Sequence, residues 1–560
     1  MLRVSGVWCF VGVMVRINLR IMITIGAMLL AGVLGGCAGG GGDSSPVTLV
    51  APVVILTSPA NNATGVLLTK PISVAFSKVM QPSAFTSATF TVTSGSGNVS
   101  GDIVYANGYV TFTPSAPMLP ATLYTATVAA GVRDVDGVAL TASYSWRFTT
   151  GPLDASFGNG GVVTTQVSPT LGSGARGVAV QADGRMVAVG YVDSGGGNYD
   201  FAMVRYHTDG SLDTTFGTNG KVITAISPRA DEARAVAIQA AGQKIVVAGS
   251  SHNGTDADFV VARYNPDGTL DTTFNTVGYA VTNFGANAND EAFAVAIQTD
   301  NKIVVVGQTG TTPSTDFALV RYTMAGALDT TFGANGKQTT DFSGKADVAY
   351  AVAIQGDGKI VVAGIADQGA VTSINNDFAL ARYDANGALD ATFGSSGKVT
   401  TAVGAADEGA FAIGIQTGGK IIAAGVVFNG TNNDFGLVRY NTNGTLDTTF
   451  GPASALPGTV ITDMAGGNDA ALALAIQADG SIVVAGAAFV TGQGNDLATA
   501  RYSVDGSLDV SFDADGKVIT NVSALADVAY AVSLLSGKIV MAGSSGTGNN
   551  STFLLVGFAP

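Results

Sequence analysis

Six aspartates keep almost the same place in a recurring apolar segment of this 560-residue chain. Asp231, Asp290, Asp347, Asp469 and Asp527 each stand eight positions before the end of a run such as AVAIQ, Asp407 stands nine before, and the first occurrence has Ser173 instead. Carboxylates repeated around a ring would suit a hydrated cation such as Ca²⁺, although that ion takes its oxygens within ~2.6 Å and a wide ring does not readily supply them. The competing reading is that each aspartate only bonds the amides of its own connection. Other chemistry is sparsely supplied. His207 and His252 are the only histidines, and neither has a nucleophile placed to form a pair. No HExxH, Walker loop or Cys/His cluster occurs, which argues against zinc proteolysis, nucleotide hydrolysis and structural zinc. No catalytic residue is assigned. Paired carboxylates for glycoside cleavage stay as the alternative, although Trp8 and Trp146, the only indoles that could form a sugar platform, lie outside the repeated part.

The segments that must carry these aspartates repeat with them. AVAIQGDGKIVVAG, Ala351 to Gly364, reads as a β-hairpin because two apolar runs flank an Asp-Gly pair that tolerates the left-handed backbone of a tight reversal. Close variants begin at Gly177, Ala235, Ala294, Ala412, Ala473 and Ala531. Leu-Asp pairs begin at Leu153, Leu212, Leu270, Leu328, Leu389, Leu446 and Leu508, spaced by 57 to 62 residues. Each unit holds four strand-like segments, for example KVIT from Lys221, RAVAIQ from Arg234, KIVVAG from Lys244 and DFVVARY from Asp258. Seven such units predict a seven-bladed β-propeller of four-stranded blades; a solenoid would need polar end caps that this array lacks. The small-residue strand is expected innermost, KIVVAG next, the DFVVARY-type strand third and KVIT at the rim. VVTT, Val162 to Thr165, is then a spare rim strand for the last blade. The recurring Leu-Asp-x-x-Phe elements and the arginines from Arg205 to Arg501 read as scaffold, the arginines needing carboxylate or carbonyl partners in apolar strands.

With 47% hydrophobic and 12% charged residues and 75 glycines, the composition suits strands buried on both faces and joined by tight turns. Residues 50–150 carry short β-branched stretches between Pro, Gly and Asn turns, the pattern of a sandwich. Their order, TSPANNATGV, ISVAFSKVM, YVTFTPSAPMLPATLYTATV, YSWRFTT, resembles the bacterial Ig-like domains of surface proteins, which implies a spacer with Trp146 in its core. The span AVAIQGDGKIVVAG to NDFALARYDANGALDATFGSSGKV resembles the delta-60 repeat, a β-propeller family of bacterial surface proteins. That resemblance implies a fold and no activity.

At the N-terminus, Arg16 and Arg20 precede the apolar IMITIGAMLLAGV and the small residues before Cys37. This resembles a bacterial lipoprotein signal and implies cleavage after residue 36, lipid on Cys37 and, since Ala38 rather than aspartate follows, an outer-membrane destination. The leader is long if it begins at Met1, and Met14 is the alternative start. Residues 37–49 form a Gly/Ser-rich tether. Loss of Arg3, Arg16 and Arg20 leaves 24 basic against 41 acidic residues, a balance that repels nucleic acid. The organisation expected is a signal over 1–36, a tether over 37–49, an Ig-like sandwich over 50–150 and the propeller over 151–560. The function expected is a lipid-anchored envelope protein, without enzyme activity, whose propeller is a binding platform for an envelope protein or polysaccharide; a propeller hydrolase or lyase acting on polysaccharide through paired carboxylates is the alternative. Ligand is placed on the face of variable loops, with the loop from Ile365 to Asn376 and Asp290, Asp347 and Asp407 contributing.

Overall fold

Alternation of apolar and polar residues in stretches such as LYTATV and YSWRFTT gives each of these strands one dry face, and two such faces must meet. The structure, a computed structural model, describes residues 50–559 apart from 312, 370–374, 405, 452–453 and 514. The signal and tether, with Cys37, lie outside the described residues. In the sandwich, one sheet orders Val54–Ser58, Ile72–Phe76, Tyr109–Pro114 and Gly101–Ala106, and the other orders Ala63–Val66, Tyr144–Thr150, Leu123–Val128, Phe90–Ser94 and Gly97–Asn98. Trp146, Phe90, Phe148, Val74 and Val110 fill the space between them. Trp146 is 1% exposed and is core.

Seven antiparallel four-stranded sheets follow among the described residues. The first blade runs Ser173–Val180, Met186–Gly195, Asn198–Tyr206, Lys221–Thr224 from the axis outward, and later blades repeat that order. The innermost strands touch one another in succession, Ser173–Val180 meeting both Asp231–Gln239 and Asp527–Leu535, so the ring is closed. Val162–Thr165 is the rim strand of the seventh blade, pairing Val162 with Val556 and Thr165 with Phe553. First and last segments thus share one sheet, and no blade is left with an open edge at the seam.

Adjacent blades are bolted by side chains that the repeat supplies. In six of the seven blades the third-strand tyrosine bonds a threonine on the rim strand of the blade before, Tyr206 to Thr165 at 2.8 Å and Tyr383 to Thr340 at 2.7 Å being two examples; the seventh has Phe558 in that place. The sandwich packs on the propeller: Leu68, 0% exposed, lies with Leu153, Val518 and Phe558. Gly65, at φ +62°, permits this approach, since a Cβ there would stand 2.3 Å from the Ile519 carbonyl oxygen. The Ig-like domain is therefore seated against the sixth-blade rim.

Candidate functional site

The axis is lined by a feature that the strand pattern conceals. Every innermost strand carries a bulge at which one extra residue stands opposite the second strand, between Ala175 and Gly177 in the first blade and between Ala349 and Ala351 in the fourth. The extra residues are Arg176, Arg234, Phe293, Tyr350, Phe411, Leu472 and Tyr530. Neighbouring members touch around the ring. The Phe293 and Tyr350 rings are 5.0 Å apart, Tyr350 and Phe411 4.8 Å, and the Arg176 guanidinium lies 4.2 Å from the Tyr530 ring. Arg176 bonds Glu232 at 2.9 Å, and Arg234 reaches both Glu232 at 3.1 Å and Glu291 at 3.4 Å. These charges neutralise one another, so the collar presents aromatic and aliphatic bulk on one side and a run of ion pairs, Arg176–Glu232–Arg234–Glu291, on the other. The sequence reading missed the collar. Its signal was the irregular residue between two small ones, Ala-x-Ala in six blades and Ala175-Arg176-Gly177 in the first, together with the glycine that recurs in every second strand.

The six aspartates of the sequence reading stand on the loop face, where the innermost strands begin. Asp231, Asp290, Asp347, Asp469 and Asp527 are at most 1% exposed and accept backbone amides of the connection that leads to them. Asp231 takes Ile226 and Ser227 N–H at 2.8 Å each, and Asp527 takes Val522 and Ser523 at 2.8 and 2.9 Å. In the fifth blade Glu408, not Asp407, holds this place, accepting Val403 N–H at 2.8 Å and Gly404 N–H at 2.7 Å. Asp407 is exposed and accepts the Asn376 amide at 3.2 Å. Glu408 stands eight positions before Gln416, in the register of the acids of the other blades, whereas Asp407 lies one residue upstream of it; the glutamate side chain does the same work as the aspartates. These acids belong to the walls between blades, each bound to its own connection, rather than to an open ring at the axis. Burial pushes Glu408 up to about 7 and Asp290 above the usual carboxylate range, against the amides that favour their charged forms. Ser173 is buried at the corresponding place in the first blade.

The opposite, hairpin face is a repeated ion-pair scaffold. Arg205, Arg263, Arg321 and Arg382 each donate Nε–H to the aspartate eight residues on, all at 2.8 Å, and each stacks on the phenylalanine of the same Leu-Asp-x-x-Phe element. Their Nη1 groups donate to a carbonyl of the next blade, as Arg321 does to Ala385. Burial acts against charge here, but the Thr273 and Thr331 hydroxyls, Lys244 and Lys302, and the arginines hold Asp271 and Asp329 at about 2. A depression of about 640 Å³ on this face is lined by Asp357, Lys359, Arg382 and Gln416. Lys359 and Arg382 both pair with Asp390, so they are structural. His207 is solvent-facing, 3.8 Å from Asp213, and His252 Nδ1 accepts the Gly254 amide at 3.0 Å.

Residues 49–150 match the bacterial Ig-like domain family, and residues 181–216, 244–274, 298–332, 355–393, 416–450 and 477–512 match the β-propeller family DUF5122, described as a domain of unknown function. No curated protein matches the chain. Among solved structures it is similar to the polysaccharide lyase Uly1, with 12% identity over 70% of this chain and 91% of that one and a TM-score of 0.41. It is similar also to a protein of unknown function from Dyadobacter fermentans (10%, 70% and 97%, 0.38) and to Sqt1 from Chaetomium thermophilum (10%, 70% and 97%, 0.36). At these scores the likenesses carry no argument about activity. The chain is a bacterial Ig-like domain followed by repeats of the β-propeller family DUF5122.

Proposed function

We propose that this is a lipid-anchored protein of the bacterial envelope, held at the outer membrane through Cys37, whose propeller is a binding platform engaging an envelope protein or polysaccharide on its loop face. The observation that carries the reading is the contrast between the two faces. On the hairpin face five blades make the same turn, with Gln181, Gln298, Gln355, Gln416 and Gln477 each donating N–H to the carbonyl four residues on at 2.8 to 2.9 Å. On the loop face the second and third strands are joined by connections of two to eight residues, from the pair between Gly195 and Asn198 to the segment between Asp367 and Asn376. Part of that longest loop lies outside the described residues. Sevenfold regularity offers one ligand nothing distinctive, whereas dissimilar loops on a rigid ring form a surface particular to one partner.

A binding role rather than cleavage is supported by how the described carboxylates are engaged. Those of the hairpin face are bound to arginine and lysine, and most of those on the loop face are buried against amides. The test is chemical crosslinking of the full-length protein to solubilised envelope from its own host. Crosslinks are expected at residues 253–256, 429–432 and 491–493 and not at the turns 182–184, 299–301 and 357–358. Crosslinks confined to those turns, or depolymerisation of an envelope polysaccharide by the purified protein, would overturn the reading.

A further inference from the structure

At the junctions between blades on the loop face, three side chains converge: the aspartate near the start of a third strand, the residue after the rim strand, and the acid that opens the next innermost strand. Between the second and third blades these are Asp258, Asn283 and Asp290, and between the sixth and seventh Asp496, Asn521 and Asp527. Asn283 donates its amide to Asp258 at 2.7 Å and Asn521 donates to Asp496 at 2.8 Å. The second oxygen of the innermost acid is also met in both, Asp290 Oδ1 by the Thr309 hydroxyl at 2.6 Å and Asp527 Oδ1 by that of Ser523 at 3.0 Å.

Two other junctions have a third carboxylate where those have the amide. Asp316, Asp341 and Asp347, between the third and fourth blades, each bring an oxygen within 4.8 Å of the others, and so do Asp434, Asp463 and Asp469 between the fifth and sixth. At these same two places the innermost acid has an oxygen that nothing meets. Asp347 Oδ1 and Asp469 Oδ1 are buried without a hydrogen-bond partner, in residues 0% and 1% exposed, and Asp434 Oδ1 is in the same condition. The nearby lysines are engaged elsewhere: Lys398 donates to the Asp341 carbonyl at 2.9 Å and Lys517 to that of Asp463 at 3.1 Å. Substitution of carboxylate for amide thus coincides, twice in one chain, with an unmet buried oxygen.

We propose that these two junctions are Ca²⁺ sites, one held by Asp316, Asp341 and Asp347 and the other by Asp434, Asp463 and Asp469, each clamping two blades together at the loop face. All six ligands are hard oxygens, with no imidazole or thiolate to favour zinc or copper. Oxygens that share one Ca²⁺ stand no more than ~4.6–5.2 Å apart, a limit that both clusters meet, and Ca²⁺ accepts an irregular set of oxygens where Mg²⁺ demands near-ideal octahedral geometry. Asp341 and Asp463 are exposed, so each site opens to water that can complete the coordination.

The full-length protein, stripped with a chelator, is titrated with CaCl₂ by calorimetry and its melting is followed with and without the ion. Two equivalents are expected to bind, saturating below about 1 mM, and to raise the melting temperature. Asp341→Asn with Asp463→Asn, which copies the amides at positions 283 and 521, should bind none, melt independently of Ca²⁺, and match or exceed the wild type in chelator. Asp341→Asn alone should keep one equivalent. No saturable binding by the folded wild type up to about 10 mM, two equivalents retained by the double variant, or Mg²⁺ bound in preference to Ca²⁺ would each overturn the proposal. If the double variant does not fold, a wild-type stoichiometry other than two overturns it unaided.

Discussion

The α-carbon of Gly364 lies so close to the carbonyl of Val348 that a Cβ built on it would stand 1.9 Å from the oxygen. The same approach recurs at Gly190, Gly249, Gly307, Gly425, Gly486 and Gly543, each opposite the bulge of its own innermost strand. This is why the second strand ends its apolar run in glycine: the bulge that turns Tyr350 toward its neighbours brings a carbonyl against the facing strand. Gly364→Ala is expected to destabilise the protein by roughly 2–4 kcal/mol, because backbone rather than a flexible side chain blocks the methyl. Gly356→Ala, which meets nothing within 4 Å, should be close to neutral. Thermal unfolding followed by circular dichroism compares the two, and equal melting would refute the account.

Closure of the ring rests on Val162–Thr165 pairing with Thr552–Phe558. Deleting residues 1–150 removes the sandwich and keeps this strand, whereas deleting residues 1–165 removes both. The longer deletion alone should expose the edge of the seventh blade, lower the melting temperature and promote association on size-exclusion chromatography. Identical behaviour of the two truncations would show that the strand contributes little.

Leu68 joins the sandwich to the propeller through Leu153, Val518 and Phe558. Leu68→Asp places a charge in that contact and should release the sandwich while leaving its own core around Trp146 intact. The measurement is limited proteolysis near Gly151 and Pro152, expected to accelerate several-fold with Trp146 emission unchanged. Unaltered cleavage would mean that the seat does not depend on this side chain.

Glu408 titrates at about 7 when folded against an ordinary value of 4.5, burial being the main cause. Because the folded state holds the proton more tightly, its contribution to stability is greatest below 4.5 and is lost as pH rises toward 7. Glu408→Gln has no such proton, so the difference in melting temperature between variant and wild type should shift in the variant's favour across that window, by a few degrees. A difference that stays constant with pH would remove Glu408 as the cause.

Cys37 is the only cysteine left if cleavage follows residue 36. Cys37→Ser should move the protein from the membrane fraction to the soluble one, since an acyl chain supplies ~0.8 kcal/mol per buried methylene and nothing in the acidic remainder replaces it. Recovery of the variant in the membrane pellet at the wild-type level would exclude the lipid as the anchor.

Much of the architecture was legible because it is written locally and many times over. The interval between Leu212 and Leu270, the alternation in YSWRFTT and the small residues of AVAIQ each constrain a strand or its place in a blade without reference to distant residues. Counting strands from Leu153 was enough to assign Val162–Thr165 to the last blade, since a ring leaves one rim strand unmatched at its start. The position of the repeated acid was legible too, except in the fifth blade, where Asp407 matched by residue type while Glu408, eight positions before Gln416, matches by spacing and is the residue that folds into place.

By itself, then, the sequence determined the all-β class, the seven units, the strand order and the scaffold role of the repeated arginines and Leu-Asp-x-x-Phe elements, because hydrogen-bonded strands impose period two and turns impose their own residues. Tertiary structure alone decided which side chains meet. Asp316, Asp341 and Asp347 come from a third strand, a rim connection and the next blade, and the bulges that aim Arg176 and Tyr350 at their neighbours leave only one extra residue in each strand as a trace. The contact between Leu68 and Phe558 joins residues almost a whole chain apart. Such encounters depend on how blades and domains pack, and packing is set by the sum of all the strands rather than by the spacing within any one of them.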